Sequence, residues 1–476
     1  MVGVTRWAAC LALCGIVWAQ PVRPHPANPH YFLFRGTPLV IVSAGEHYGA
    51  VLNGDFDWRK YLETLERDGM NYTRVFSGAY REVPGDFGIE RNTLAPVRYV
   101  APWAMRDGQL DLEQWNPEYF SRLRDFVAEA GRRGVIVELT LFCSTYGAKQ
   151  WSVSPFNPAN NRNSTSVSDW KQLHTLANGN VLAHQERLVR RIVGELKEFD
   201  NVIYEIQNEP WSDRPIVAES LHPYSAGRWP NSADVADGAS LAWQRRVAEW
   251  IRSEEAGLKA RHMIAWNVCN YRLPLKEMLA GADSVNFHYA YPEAAQWNYG
   301  LNVPVGYDET GFLKTEDAAY RRQAWRFLMA GGGLFNHLDY SFSVGKEDGT
   351  DAQPKSPGGG SPALRRQLRV LREFVESLPY LKMEPDASVV AHAPGAVAQA
   401  LGAPGEAYAI YLTGSGPTDL KLRLPAGGYE VTWVEPAGGA AIRKDTLTHA
   451  GGTAVLHTPE FKEELALKVL KPAARK

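Results

Sequence analysis

Eight short apolar runs, recurring between amphipathic stretches, constrain this chain more than any other feature. They are Leu39–Val42, Tyr72–Phe76, Val135–Phe142, Val202–Ile206, Met263–Val268, Ser284–His288, Val303–Tyr307 and Leu334–Leu338. Most are rich in β-branched or aromatic residues, and all have the length of a strand. Between them Trp58, Tyr61, Leu62 and Leu65 recur at helical spacing. So do Tyr119, Leu123, Phe126, Val127 and Ala130, and again Val189, Ile192, Val193 and Leu196. A parallel sheet of apolar strands needs both faces covered, and the intervening helices supply the cover. Eight strands, each followed by a helix, predict an α/β protein built on a (β/α)8 barrel over residues 20–382. Ahead of the barrel, Tyr31–Phe34, Arg35-Gly36 and Thr37-Pro38 read as a small hairpin closing its bottom. Ser361-Pro362 caps a last helix that runs to about Leu378.

Past Lys382 the helical pattern stops. Ala396–Leu401, Tyr408–Leu412, Leu420–Leu424, Tyr429–Val434, Thr453–His457 and Leu465–Leu470 are short runs, often alternating, separated by turns such as Pro425-Ala426-Gly427-Gly428. Residues 383–476 are therefore expected to form a small antiparallel β-sandwich packed on the barrel. It reads either as a carbohydrate-binding module or as a stabilising appendage, and it contains no recognisable sugar-binding constellation.

Residues 1–19 have the build of an export leader. Arg6 precedes a mostly apolar stretch from Trp7 to Trp18, and Val17-Trp18-Ala19 is an acceptable cleavage site before Gln20. The stretch is too short to span a bilayer, so the expectation is a secreted or periplasmic protein with no membrane anchor after its removal. Cys10 and Cys14 leave with the leader. Cys143 and Cys269 remain, either paired or as two buried thiols near strand ends. With 51 basic against 53 acidic residues there is no electrostatic case for nucleic acid. The 15 Trp and 21 Tyr suit a protein that stacks on sugar rings, though large cores also use them.

In a barrel, chemistry gathers at the C-terminal ends of the strands and in the loops beyond them. The fourth run ends in Asn208-Glu209-Pro210 and the seventh in Tyr307-Asp308-Glu309-Thr310. Each places a glutamate where a buried strand opens into a loop. The pairing resembles the cellulase-like retaining glycoside hydrolases of clan A, whose barrels carry an acid/base Glu after strand four, in Asn-Glu, and a nucleophile Glu after strand seven. The resemblance spans about residues 30–380. It implies Glu209 as acid/base, Glu309 as nucleophile, and Asn208 as the amide that binds the sugar 2-hydroxyl. Arg74, in Tyr72-Thr73-Arg74-Val75-Phe76, matches the clan's arginine beside the nucleophile.

Two carboxyls roughly 5–5.5 Å apart leave no room for water between nucleophile and sugar, so a covalent glycosyl-enzyme must form first. Arg74 is expected to keep Glu309 ionised, and the neighbouring negative charge to raise the pKa of Glu209. Glu205 and Asp308 are the alternative reactive carboxylates. The sixth strand departs from the clan pattern: in His288-Tyr289-Ala290-Tyr291-Pro292 an alanine stands where a tyrosine is expected. Either Tyr289 or Tyr291 is then left to bond the nucleophile, through a bulge, with His288 pointing into the site or packed as a core histidine.

Glu46-His47-Tyr48 after the first strand, and His337 with Asp339 on the eighth, sit where substrate groups are read or strand ends are capped. Trp103, Trp151, Trp211 and Trp297 fall in the upper loops as stacking candidates. The long loops Ser144–Gly179 and Ser343–Gly360 rise on the same face, the second reading also as a disordered linker at Gly358-Gly359-Gly360. The reading is a glycosidase acting on a β-linked poly- or oligosaccharide, with neither metal nor organic cofactor. A non-catalytic carbohydrate-binding barrel and a metal-dependent barrel hydrolase are the competitors. The latter lacks its usual His-x-His on strand one.

Overall fold

The computed structural model describes residues 20–219 and 232–472. The leader, with Cys10 and Cys14, lies outside the described residues. Eight parallel strands form one sheet: β1 (Ile41–Gly45), β2 (Tyr72–Phe76), β3 (Ile136–Cys143), β4 (Val202–Asn208), β5 (Met263–Asn270), β6 (Ser284–His288), β7 (Val305–Glu309) and β8 (Leu334–Leu338). They neighbour one another in sequence order, and β8 pairs with β1. At the seam between β1 and β2, side chains bridge the backbones. Asn71 accepts from the Val42 amide and donates to the Val40 carbonyl, and the Ser43 hydroxyl donates to the Tyr72 carbonyl. The expected (β/α)8 barrel is what forms.

Helices α1 (Trp58–Asp68), α2 (Pro117–Arg132), α3 (Val181–Leu196), α4 (Gly238–Glu254), α5 (Pro292–Asn298), α6 (Asp317–Leu328) and α7 (Pro362–Glu376) surround it. Their starts follow from capping chemistry. Asp57 accepts from the amides of Arg59 and Lys60, Asn116 caps α2 ahead of Pro117, and Ser361 caps α7 ahead of Pro362. The expectation of a helix after every strand fails once: none links β5 to β6. That connection contains Pro274, and it covers the barrel by packing Leu273, Leu275, Met278 and Leu279 on the core instead.

The bottom of the barrel is an apolar layer with one or more residues from most strands: Ile41, Tyr72, Ile136, Ile203, Met263, Ala265 and Leu334. Phe32 and Phe34, from a three-stranded sheet (Arg23–His25, Asn28–Phe34, Thr37–Leu39), plug it from below. The expected hairpin is there, extended by one strand. A hairpin at the top, Trp103–Arg106 with Gln109–Trp115, escaped the sequence reading, and its Trp103 is buried edge-on to Phe156. The triple glycine after β8 is ordered: a Cβ on Gly358 would lie 1.6 Å from the Gly311 carbonyl oxygen, so only glycine permits that approach.

The C-terminal region is a sandwich of a six-stranded and a three-stranded antiparallel sheet around Ile410, Leu412, Leu420, Leu422, Val431, Trp433 and Leu467. Its strand Ala441–His449 was not foreseen, because it is an edge strand with almost no buried residue and so lacks the apolar alternation of a strand. Tyr411 reaches from the sandwich to stack on Trp325 of α6, centroids 5.2 Å apart. Beside it Arg321 donates to Glu464 through Nε at 2.8 Å, and Tyr411 donates to the same carboxylate at 2.6 Å. Removing one partner of a buried pair leaves the other charge without compensation. Glu464→Ala is therefore expected to cost about 3 kcal/mol, read as a lower urea midpoint.

Candidate active site

Above the apolar layer the inward-facing residues, two positions further along each strand, turn polar: Ser43, Arg74, Glu138, Glu205, Asn267, Asn286, Asp308 and Asn336, all buried. Arg74 organises them. Its guanidinium donates to both Glu205 oxygens (2.7 and 2.9 Å) and to the Asn208 side-chain oxygen (2.7 Å). It also lies 3.3 Å from Asp308, 3.3 Å from Glu309 and 3.9 Å from Glu138. One cation faces more carboxyls than it can balance. Burial, aided by the nearby Glu205 charge, accordingly lifts Glu138 to about 8, and burial pushes Asp308 well above the usual carboxylate range.

One level higher the site opens to solvent as a cavity of about 190 Å³. Glu209 and Glu309 both line it, their side chains 14% and 8% exposed, whereas Glu205 and Asp308 are sealed beneath. Carboxylate oxygens of the two glutamates and a ring nitrogen of His288 lie within 4.8 Å of one another. Glu309 accepts from Tyr289 at 2.6 Å and from Tyr48 at 3.1 Å, in addition to Arg74. Glu209 contacts His288 Nδ1 at 3.1 Å. Its pKa is raised by burial, the opposing influences being a Tyr146 hydrogen bond, the charge of Arg74 and a Ser212 hydrogen bond. Burial holds the His288 pKa down at about 4, so its imidazole is neutral at neutral pH. The direction foreseen for Glu209 is right, but desolvation rather than negative charge is its cause.

Four of these side chains hang from left-handed backbone: Tyr48 (φ 66°), Tyr146 (φ 64°), Glu209 (φ 46°) and Tyr289 (φ 46°). Such conformations cost on the order of 1–3 kcal/mol each and persist only where neighbours impose them. Here the Glu209 amide donates to Asn267 at 2.8 Å, while its carbonyl accepts from Ser144 at 2.7 Å. The Tyr289 amide donates to the Glu309 carbonyl at 3.0 Å, just past a register shift between Phe287 and His288. That bulge decides between the two tyrosines. Tyr289 reaches Glu309, and Tyr291 turns out to stack on Tyr271 under Arg272.

The structure thus brings together Glu209, Glu309, Arg74, Asn208, His288, Tyr289 and His47. Others do different work. Glu46 caps the loop after β1, accepting from the Gly49 and Ala50 amides and from Thr93. His337 is buried against Tyr320 and bonded to the Gly359 carbonyl, and Asp339 pairs with Arg365. Trp151 packs on the core, Trp211 lies edge-on to His288, and Trp297 neighbours Arg272. Cys143 and Cys269 are free and buried, Cys143 on the cavity wall. Sequence reasoning missed Tyr146, which accepts from Asn208 at 2.8 Å, and Glu82, Phe87 and Phe312 on the cavity rim. Tyr146 and Phe312, just past the ends of β3 and β7, carried a positional signal.

Ligand atoms of Glu209, His288 and Glu309 are close enough to grip a metal ion, as are those of Glu138, Glu205 and Asp308, although Arg74 already fills the second set. Among the described residues no helix is long and apolar enough to cross a membrane.

A (β/α)8 barrel with a carboxyl pair over a buried arginine defines the class of scaffold. No family model matches the chain, nor does the sequence of any curated protein. Solved structures do. A glycoside hydrolase superposes with TM-score 0.61 at 12% identity, covering 95% of this chain and 97% of the other. A family 5 glycoside hydrolase from Bacteroides vulgatus gives 0.64 at 13% identity, covering 95% and 93%. A putative glycoside hydrolase from the same organism gives 0.63 at 11%, covering 95% and 83%. The fold, sandwich included, is the one these glycoside hydrolases share.

Two outcomes follow for the buried cluster. Glu138 and Glu82, both raised by burial to about 8, hold protons in the folded state that the unfolded chain releases near 4.5. Stability should fall as pH climbs between those values, and Glu138→Gln should flatten the fall in urea midpoints between pH 5 and 8. Arg74→Met strands several buried carboxyls and should cost at least about 3 kcal/mol, measured the same way.

Proposed function

We propose that the protein is a retaining glycoside hydrolase that cleaves β-linked glycans by double displacement. The observation that carries this is the pair of pocket carboxyls with oxygens within 4.8 Å, each served by its own partners. That spacing suits nucleophile and acid/base and leaves no place for a water between Glu309 and the sugar. Glu309, braced by Arg74, Tyr48 and Tyr289, attacks the anomeric carbon. Glu209, kept protonated by its buried setting, gives its proton to the departing glycosidic oxygen. A glycosyl ester on Glu309 results. Water then enters where the leaving group stood, Glu209 removes its proton, and the oxygen displaces Glu309. Asn208, fixed between Arg74 and Tyr146, is positioned to bond the 2-hydroxyl. The leader-like residues 1–19 support export to the periplasm or medium, and a mature protein beginning at Gln20 is the corresponding expectation from N-terminal sequencing.

A 2-deoxy-2-fluoro glycoside with a good leaving group should inactivate the enzyme and add one sugar mass to the peptide containing Glu309. Glu309→Gln should remove hydrolysis, and full activity in that variant would overturn the assignment. Glu209→Ala should lose roughly 10²–10⁴-fold on poor leaving groups, far less on activated aryl glycosides, and regain turnover with azide as a β-glycosyl azide. A chain that binds oligosaccharide but never cleaves it would be a lectin on the same barrel, and loss of activity with chelator would favour a metal enzyme.

A further inference from the structure

Among the described residues, one side of the pocket is walled. The segment after β2 stands over it as a wall, contributing Tyr80, Glu82, Phe87 and Leu94, with His47 from the loop after β1. This wall is tied to its neighbours on both flanks. Arg91 pairs with Asp351 at 2.6 Å and Lys355 with Glu90 at 3.1 Å, joining it to the loop after β8. Gln150 donates to Asp86 at 3.0 Å, joining it to the loop after β3. The loops of β8, β1, β2 and β3 therefore form one continuous barrier.

Inside the barrier are polar groups that the displacement does not use. Glu82 is buried, and its carboxyl accepts from the Tyr80 hydroxyl at 3.2 Å and from the Asn92 amide. Asn92 also hydrogen-bonds His47. The His47 side chain lines the same cavity, so its ring edge stands where a ligand would lie. The neutral imidazole, its pKa held near 4 by burial, and a carboxyl offer hydrogen-bonding atoms matched to the hydroxyls of a sugar edge.

The orientation of the substrate follows from the mechanism. The leaving group must stand against Glu209, which contacts Ser212 of the loop after β4 and His288 of β6. The sugar attacked by Glu309 then extends the other way, toward the barrier. The whole cavity, both catalytic glutamates included, holds only about 190 Å³, the scale of one sugar ring.

We propose that the walled end is a terminal subsite in which Glu82 and His47 bind the hydroxyls of a non-reducing end sugar, so that the enzyme removes single sugars from chain ends. This rests on the hydrolase reading above. Phe87 and Phe312, 43% and 39% exposed, also line this cavity.

The test uses the mature full chain on 4-nitrophenyl β-glycosides of glucose, galactose, mannose and xylose, and on β-1,4-linked tetrasaccharides of glucose, mannose and xylose. For any tetrasaccharide cleaved, the first products by mass spectrometry should be one monosaccharide and one trisaccharide. The matching aryl monosaccharide should also be a substrate. Glu82→Leu should lower kcat/KM on it by about ten- to hundred-fold and weaken inhibition by the free monosaccharide by a similar factor. Glu82→Gln, which keeps the shape, should lose less, and melting temperatures show that both variants fold. Disaccharides among the first products, or unchanged kcat/KM and inhibition in Glu82→Leu, would overturn the terminal subsite while leaving the hydrolase intact. No cleavage of any probe would overturn the hydrolase reading and the subsite with it.

Discussion

The contact between Arg74 and the carboxyls around it is the interaction on which the rest depends. A guanidinium with no exposure to water is tolerated only when its donors are met, and Glu205, Asn208, Asp308, Tyr48 and Glu309 meet them. The same fork therefore spans the barrel from β2 to β4 and β7. Its planar geometry allows two parallel bonds to Glu205 while a separate nitrogen faces Glu309. Burial above all, aided by the neighbouring carboxylates, holds Glu138 and Asp308 toward their neutral forms. The barrel interior is thus two materials: an apolar plug below and a carboxyl-rich polar layer above.

Above that layer the backbone is strained, and bonds from neighbouring strands and loops hold it. Tyr48, Tyr146, Glu209 and Tyr289 leave their strand ends in left-handed conformations, and each is held by bonds to a neighbouring strand or loop. The strain turns side chains that strand alternation would send elsewhere into a common cavity. The β6 bulge does the same for Tyr289 and substitutes for the tyrosine that Ala290 displaced. Loop stitching on the β8–β1–β2–β3 side then gives the cavity one closed wall, while the sandwich braces α6 far from the chemistry through Trp325, Tyr411 and Glu464.

Much of this was legible in the residues. All eight barrel strands, the capped last helix and most sandwich strands carry local signals that survive into the structure, since burial of one face imposes periodicity. Glu209 and Glu309 were found because strand order converts into position on a barrel. The misses share a cause. Ala441–His449 is an exposed edge and the β5–β6 link is irregular, so neither needs an apolar pattern. Glu82 lies in a loop whose sequence has no period at all. Conversely, Glu46, His337 and Trp151 occupied plausible positions but were consumed by capping and packing, which a linear pattern does not distinguish from ligand contact.

By itself the sequence determined the count and order of the strands, the helices that cover most of them, and the two glutamates that end β4 and β7, because hydrophobic periodicity and strand order are local or additive properties. Only the tertiary structure decided which carboxyls are sealed and which face the cavity, which tyrosine reaches Glu309, and where the pocket is walled. Those outcomes depend on angles at single residues and on contacts between loops far apart in the chain. Neither leaves a repeating trace in the order of the amino acids.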